Sequence, residues 1–307
     1  MGFLDVVEPI AVLFIILIIG FLSRRLAVFD DRVVKGLSSL LLKVALPALI
    51  IGSLQRSFSP DLLRDGGGVL LMAIPIYLIS GLTALLCGAI PGVGREYAGV
   101  VRFGVMFPNA GFMGFPVLLS ILGPEALFLA AIYLVPYNLI IFTVGIVFIT
   151  MGRPGRKSIG LSVLFSPTVV AVFAGFLFFA FSIRLPGPLA EATRLMGSVT
   201  TPLAMIVVGA TLAGMKLRDV FGNWRVYLVA VMRLLVMPLL MFFALRGFGL
   251  SALLFSMLVL VNAMPVAING VIFASEFDAN PEFAAQAVFV STLFSALTIP
   301  LIAILVR

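Results

Sequence analysis

The chain contains no histidine and a single cysteine, Cys87. With one thiol no disulfide can form within the chain, and without histidine the common zinc ligand sets are missing. The usual general base of a serine or cysteine hydrolase is absent for the same reason. Paired intramembrane aspartates are also missing, because no Asp or Glu lies in the core of a long apolar run. We therefore expect no enzymatic activity, no metal and no other cofactor.

Charged residues are scarce, at 11% of 307 residues, whereas soluble domains contain about a quarter. Apolar residues make up 62% of the chain, and its mean hydropathy is +1.26. This composition predicts a polytopic membrane protein, for which the lipid bilayer is the principal partner. The basic excess, 20 Lys and Arg against 13 Asp and Glu, lies mostly in short loops. Such a distribution indicates membrane orientation and not nucleic-acid binding.

Ten apolar segments reach the length of about 20 residues that a membrane helix needs. The first should be a retained span and not a signal peptide, because a signal has a basic segment before its apolar run, whereas this chain begins with Asp5 and Glu8 and reaches Arg24 and Arg25 only afterwards. The loops are too short for a soluble domain, so the predicted fold is all-α with ten transmembrane helices. The ten segments lie near residues 6–23, 33–54, 67–90, 99–121, 125–150, 163–183, 193–214, 224–245, 251–273 and 283–306.

Two of these segments, the fourth and the ninth, contain residues that interrupt a helix. They read FPNAGFMGFP at 107–116 and VNAMPVAING at 261–270. Proline lacks a backbone N–H, and lipid offers no water to satisfy the carbonyls it leaves open, so each break must be buried in protein or line a cavity. A pair of interrupted helices in corresponding positions of two halves is typical of a secondary transporter with its binding site between them.

The two breaks belong to a longer internal repeat. A shift of about 157 residues places Pro108 on Pro265 and GPEALFLAA at 123–131 on NPEFAAQAV at 280–288. Chance alignment is the alternative in a proline-rich chain, but five apolar segments on each side agree in order. Because five is odd, the second half would enter the membrane inverted. We predict two five-helix repeats, residues 1–152 and 153–307.

Basic residues also predict the orientation. Twelve lie in odd-numbered loops, whereas six lie in even-numbered loops and the C-terminal tail. Because short basic loops stay in the cytoplasm, both termini should lie outside and the 151–158 link inside, in the inner or plasma membrane of the cell.

Two charges, Lys43 and Arg233, lie well inside predicted spans. Placing a charged side chain inside the membrane costs at least about 2.5 kcal/mol on insertion scales, so each needs a partner or an aqueous cavity. Lys43 either faces such a cavity or extends to the membrane surface. Arg233 either contacts substrate or bonds to helix carbonyls. A positive interior without core carboxylates favours an anionic substrate and disfavours a carboxylate-based proton relay or sodium site.

The breaks supply the predicted binding site. A half-helix that starts inside the membrane presents free N–H groups and the positive end of its dipole, which attract anions. An asparagine amide can add a donor to a carboxylate. Interhelical packing is the alternative for a single membrane asparagine, but two asparagine-bearing breaks favour binding. The predicted substrate-binding residues are Pro108, Asn109, Gly111, Gly114, Arg233, Asn262, Pro265 and Asn269. Less weight falls on the polar residues Ser53, Asn138, Thr200, Thr201 and Gln286.

These motifs resemble those of a known family. PNAGFMGFPVL at 108–118 resembles the fourth-helix motif of the auxin efflux carrier family of membrane permeases. NAMPVAINGVIFASEFDANPEFAAQAV at 262–288 resembles that family's ninth and tenth helices, and VAVMRLLVMPLL at 229–240 its eighth. The resemblance covers essentially the whole chain. It implies ten helices in two inverted repeats, with helices 4 and 9 crossing at their breaks.

The resemblance also implies a mechanism and an assembly. The first two helices of each repeat would form a scaffold that dimerises, and the other helices a mobile bundle that moves like an elevator. Asn109 matches the asparagine that contacts the auxin carboxylate in plant carriers. In contrast to plant members, the inter-repeat link is only residues 151–158, which puts regulation through that loop in doubt. Thr168 follows Pro167 where plant carriers have an asparagine, which puts auxin itself in doubt.

The sequence therefore predicts a secondary transporter for a small organic anion, whether carboxylate, dicarboxylate or auxin-like. No ATP-binding loop of the GxxxxGK[ST] type is present, so a gradient or the membrane potential would drive transport. The alternatives are an anion channel and a non-transporting ligand sensor on the same fold.

Overall fold

The computed structural model describes residues 4–55, 59–151, 167–214 and 222–306. Within these ranges the regular structure is helical, without a β-strand, which confirms the all-α prediction. The segments are α1 (Leu4–Arg25), α2 (Asp31–Leu54), α3 (Pro60–Gly88), α4 (Arg95–Met106), α5 (Ala110–Leu122), α6 (Pro124–Thr150), α7 (Pro167–Ala180), α8 (Gly187–Gly214), α9 (Trp224–Phe248), α10 (Ala252–Val261), α11 (Asn269–Glu276) and α12 (Pro281–Leu305).

Seven of the described helices are long and apolar enough to cross a membrane: α1, α2, α3, α6, α8, α9 and α12. Three more, α5, α7 and α10, are apolar but shorter. Helices of this number and composition fit a multi-pass membrane protein.

Both predicted interruptions are present. The first lies between the end of α4 at Met106 and the start of α5 at Ala110, and the second between the end of α10 at Val261 and the start of α11 at Asn269. The first is shorter than the motif suggests, because the chain is helical again from Ala110 and Pro116 lies inside α5.

Three prolines inside helices each follow a π-helical turn that ends two residues earlier. A proline ring clashes with the carbonyl four residues before it, and the wider π turn relieves that clash. Two of these turns also contain the predicted intramembrane cations, Lys43 and Arg233. The three pairs are Leu41–Ala45 with Pro47, Ala110–Gly114 with Pro116, and Met232–Val236 with Pro238.

Side-chain caps fix where several helices begin. An Asn, Asp or Ser oxygen accepts a hydrogen bond from an N–H of the first turn, which would otherwise have no intrahelical partner. The caps are Asp30 to the N–H of Val33, Asn223 to Arg225, Ser251 to Leu254 and Asn280 to Phe283.

The chain forms two compact units, and each draws segments from both halves of the sequence. The first comprises residues 1–71, 111–138 and 161–214. In it, α1 lies along the second half of α8. A Cβ at Gly209 would overlap the carbonyl oxygen of Leu17, and one at Gly20 would overlap the backbone of Ile206. These two glycines therefore allow the backbones of α1 and α8 to touch.

The second unit comprises residues 72–110, 139–160 and 215–307. In it, α9 and α12 pack against each other and against α4. The rings of Phe107 and Phe273 both lie against that of Phe103, with centroids 4.9 Å and 5.9 Å away. This aromatic cluster lies directly beside the first break. The predicted repeat boundary at 152/153 lies outside the described residues, and the repeat stays a prediction.

Candidate functional site

The two breaks lie side by side within the second unit. Pro108 and Val266 form an isolated antiparallel β-bridge. The N–H of Asn109 donates to the carbonyl of Pro265 at 2.7 Å, and the N–H of Ala267 donates to the carbonyl of Phe107 at 3.1 Å. Each interrupted segment thus provides hydrogen-bond partners for the other, which lipid could not do. We call this pairing of residues 107–109 with 265–267 the crossing.

Proline explains why the pairing is so short. Pro108 and Pro265 have no N–H to donate, so the donors come from neighbouring residues. The residue before a proline is pushed out of the helical region, and Phe107 has extended angles of φ −106° and ψ 107°. The chain therefore leaves α4 at this point, and the opposite break supplies the backbone groups that bond to it.

Ser291 supports the crossing from α12. Its Oγ accepts the N–H of Val266 at 3.1 Å and donates to the carbonyl of Val288 at 3.2 Å. Its side chain is completely buried. Sequence reasoning missed this residue. The signal available was a hydroxyl in the apolar run that follows the second break, five residues beyond Gln286.

Arg233 joins the ends of two half-helices. Its Nη1 donates to the carbonyls of Val105 at 2.8 Å and Met106 at 3.1 Å, and its Nη2 donates to the carbonyl of Asn262. Val105 and Met106 are the last residues of α4, and Asn262 is the C-cap of α10. The guanidinium is fully buried. It supplies donors and positive charge where helix ends have open carbonyls and negative dipole ends.

The three predicted asparagines occupy different positions. Asn109 is buried in the crossing, with 2% of its surface exposed. Asn262 is also buried, and its Nδ2 donates to the carbonyl of Leu258 at 2.9 Å, so its amide caps α10. Asn269 is partly exposed and is the first residue of α11. The crossing thus brings together Asn109, Pro265, Arg233 and Asn262, while Asn269 lies just beyond it.

The helix that follows Asn109 starts with space beside it. The N–H of Ala110 donates back to the carbonyl of Pro108 at 2.8 Å. Gly111 and Gly114 lie in the π turn at the start of α5. A Cβ built on Gly111 would meet no atom of the described residues within 4 Å, whereas one on Gly270 would lie 2.8 Å from the Phe103 ring. Gly111 therefore has room beside it, and Gly270 is tightly packed.

Comparison with known proteins agrees with this architecture. The model of a family described as "Membrane transport protein" matches residues 5–159 and 151–303, which is nearly the whole chain. The chain belongs to this auxin efflux carrier-type family of membrane transporters. The family resemblance noted from the motifs is thereby confirmed, and the chain is a transporter and not an enzyme.

Relatives are similar over nearly their full length. An "Uncharacterized transporter" of Methanothermobacter thermautotrophicus is 27% identical, with 98% of each chain covered. The "Uncharacterized transporter YfdV" of Escherichia coli K12 is 25% identical over 94% of this chain and 93% of its own. A "Putative malonate transporter" of Rhizobium meliloti is 23% identical, covering 95% of this chain and 93% of its own.

The transporter also has a polar cavity of about 600 Å³ in its second unit, beside the starts of α4, α9 and α12. Gln286 lines it and lies five residues before Ser291 in α12, a rise of about 7.5 Å along a helix. Gln286, on the wall of the polar cavity, is therefore one to two helical turns along α12 from the serine that supports the crossing. Its lining includes Glu96, Tyr97, Asn223, Trp224, Arg225, Asn280 and Glu282.

Two of the other polar residues in the spans bond to their own helices, and Lys43 is exposed. Asn138 donates to the carbonyl of Leu134 at 2.8 Å, and Ser53 donates to that of Ile50 at 2.8 Å. Lys43 is exposed on the π turn of α2. Thr200 is buried at the start of the second half of α8, and Thr201 follows it. These contacts fit helix packing and give no reason to add these residues to the site.

Proposed function

We propose that this transporter is a secondary carrier that moves a small organic anion, a carboxylate or dicarboxylate, across the cell membrane by alternating access. The observation that carries the proposal is the crossing, where Asn109 is buried between two half-helix ends and α5 begins directly after it. Secondary transporters place their substrate at such interrupted helices.

Local electrostatics support an anion. The negative carboxyl-terminal ends of α4 and α10 are offset by Arg233, which binds their carbonyls. The positive amino-terminal ends of α5 and α11 then dominate the field at the breaks. The amide of Asn109, buried in the crossing, would donate to the carboxylate.

The topology we propose is the one predicted from sequence. Ten spans would form two inverted repeats, residues 1–152 and 153–307, with both termini outside and the 151–158 link in the cytoplasm. α4 with α5 would make the fourth span, and α10 with α11 the ninth. The antiparallel pairing of these two interrupted spans supports the inversion.

The assembly and motion that we propose are those the family resemblance implies, a scaffold that forms a homodimer and a bundle that moves as an elevator. α1, α2, α7 and α8 correspond to the first two helices of each repeat, and they fall in the first compact unit, together with α5 and part of α6. Backbone contact between α1 and α8 at Gly20 and Gly209 would make this group stiff. We propose that these helices form the immobile scaffold of an elevator-type transporter and the interface of a homodimer.

Malonate is the first substrate to test, because one relative carries that name. The transporter is reconstituted in liposomes, and uptake of labelled malonate is measured for wild type, Asn109→Ala and Asn138→Ala. Losing a hydrogen bond to a charged group costs about 1.5–3 kcal/mol, so Asn109→Ala should slow uptake at limiting substrate by about tenfold or more. Asn138→Ala removes an amide that serves only its own helix and should leave uptake near wild type.

Three outcomes would contradict the proposal. Uptake by Asn109→Ala equal to wild type would remove Asn109 from the site. Flux that neither saturates nor shows counterflow would indicate a channel, and binding without flux would indicate a sensor. A panel of other organic anions, run in the same liposomes, separates a wrong substrate from a wrong mechanism.

A further inference from the structure

Arg233 occupies a position that has a known use in other transporters. Where membrane helices are interrupted, the carbonyls at the carboxyl-terminal half-helix ends commonly coordinate a coupling cation such as Na⁺. Here the carbonyls of Val105 and Met106 from α4 and of Asn262 from α10 converge on one fully buried guanidinium.

We propose that the guanidinium of Arg233 is a built-in replacement for a coupling cation. It supplies one permanent positive charge between the two carboxyl-terminal ends, so the anion site keeps its charge balance without a bound Na⁺ there. What the inference predicts about malonate transport rests on the proposed function. What it predicts about cation binding at this position does not.

The chemistry of the contacts fits this role. Carbonyl oxygens are the ligands that hard cations prefer, and the planar fork of an arginine has several donors, enough for three of them at once. The amide of Asn262 adds a fourth oxygen, 3.5 Å from Nη2. Arginine keeps its charge at any physiological pH. The cation is therefore always present and cannot dissociate during the cycle.

The position of Arg233 in α9 places its charge at the crossing. It lies in the π turn Met232–Val236 of α9, which Pro238 follows. π turns inside α-helices often occur at functional sites. The side chain reaches both breaks at once, the first through α4 and the second through α10. Removing it would leave the same oxygens around a buried gap, which is a candidate cation site.

The first experiment measures occupancy without transport. Melting temperatures of wild type, Arg233→Ala and Arg225→Ala are recorded in detergent with choline, Na⁺ or millimolar guanidinium as the cation. Arg225 is the matched control because it also donates to backbone carbonyls, at 2.7 Å to Val93 and 2.5 Å to Gly92, but in a loop. Only Arg233→Ala should be less stable in choline and recover by several degrees with Na⁺ or guanidinium, because only it gains a buried oxygen site.

The second experiment measures malonate counterflow in the same salts. Wild type should exchange malonate at equal rates in choline and Na⁺. Arg233→Ala should be about tenfold slower in choline and partly restored by Na⁺ or guanidinium, because an uncompensated buried site is costly. Arg233→Lys keeps the charge with fewer donors, so its flux should be slower than wild type yet independent of the cation.

The outcomes are separable. Wild-type flux that needs Na⁺, or Arg233→Ala that matches wild type in choline for both stability and flux, would overturn the inference. If Arg233→Ala does not fold, the cation independence of wild type and of Arg233→Lys decides the matter. If wild type moves no malonate, the proposed function fails at that substrate, and the melting temperatures still test the inference.

Discussion

The backbone N–H of Asn109 lies 2.7 Å from the carbonyl oxygen of Pro265. This hydrogen bond joins two breaks that are far apart in sequence. Its donor is the residue after Pro108, and its acceptor is the carbonyl of Pro265 itself. A buried backbone group without a partner is costly in lipid. The crossing is therefore a structural requirement of the breaks as well as the position of the proposed site.

Ser291→Ala tests how the crossing is held. The substitution removes the acceptor of the buried N–H of Val266, and an unsatisfied buried donor costs about 1–3 kcal/mol. We expect a lower melting temperature in detergent and slower malonate uptake, because residues 265–267 lose their support from α12.

Ser295→Ala is the matched control. Ser295 lies one turn further along α12, is equally buried, and donates to the carbonyl of Thr292 within its own helix. Its loss leaves no backbone N–H of the crossing without a partner, so a smaller effect is expected. Equal effects of the two substitutions would show that the Val266 contact is not what matters.

The breaks could be predicted from sequence because proline, glycine and asparagine inside an apolar run have a single physical explanation. Their positions were correct, although the first is shorter because Ala110–Gly114 resumes as a π turn. The carbonyl contacts considered for Arg233 are present, but their origin in both α4 and α10 depends on tertiary packing. Ser291 was missed because a lone serine in a helix usually bonds to its own backbone.

Gly209→Ala tests the contact between α1 and α8. A Cβ at this position would overlap the carbonyl oxygen of Leu17, a backbone atom that cannot rotate away. Overpacking of this kind costs about 1–3 kcal/mol or more. We expect a clear fall in melting temperature and loss of any dimer that depends on this helix pair, read by size-exclusion chromatography with light scattering.

Gly67→Ala provides the comparison for the same chemical change. Gly67 lies in α3, and a Cβ there meets no atom within 4 Å in the part of the chain that the structure describes. Alanine favours a helix over glycine by up to about 1 kcal/mol, so this variant should be as stable as wild type or slightly more stable. A loss of stability equal to that of Gly209→Ala would contradict the close-contact explanation.

The proposed orientation can be tested with single cysteines. Cys87 is the only native thiol and is buried, so it is first replaced by alanine. Ser182→Cys then places a thiol in the loop between α7 and α8, where Ser182 is exposed. Ser158→Cys places one in the 151–158 link, outside the described residues. The positive-inside distribution predicts Ser182 outside and Ser158 inside.

A membrane-impermeant maleimide added to intact cells should therefore label Ser182→Cys and leave Ser158→Cys unlabelled until the cells are lysed. The reverse pattern would mean that the whole chain is inverted, because the two positions flank one predicted span. Labelling of both from outside would mean that α7 does not cross the membrane. In that case the second half would have an even number of spans, and the inverted repeat would be wrong whatever the substrate.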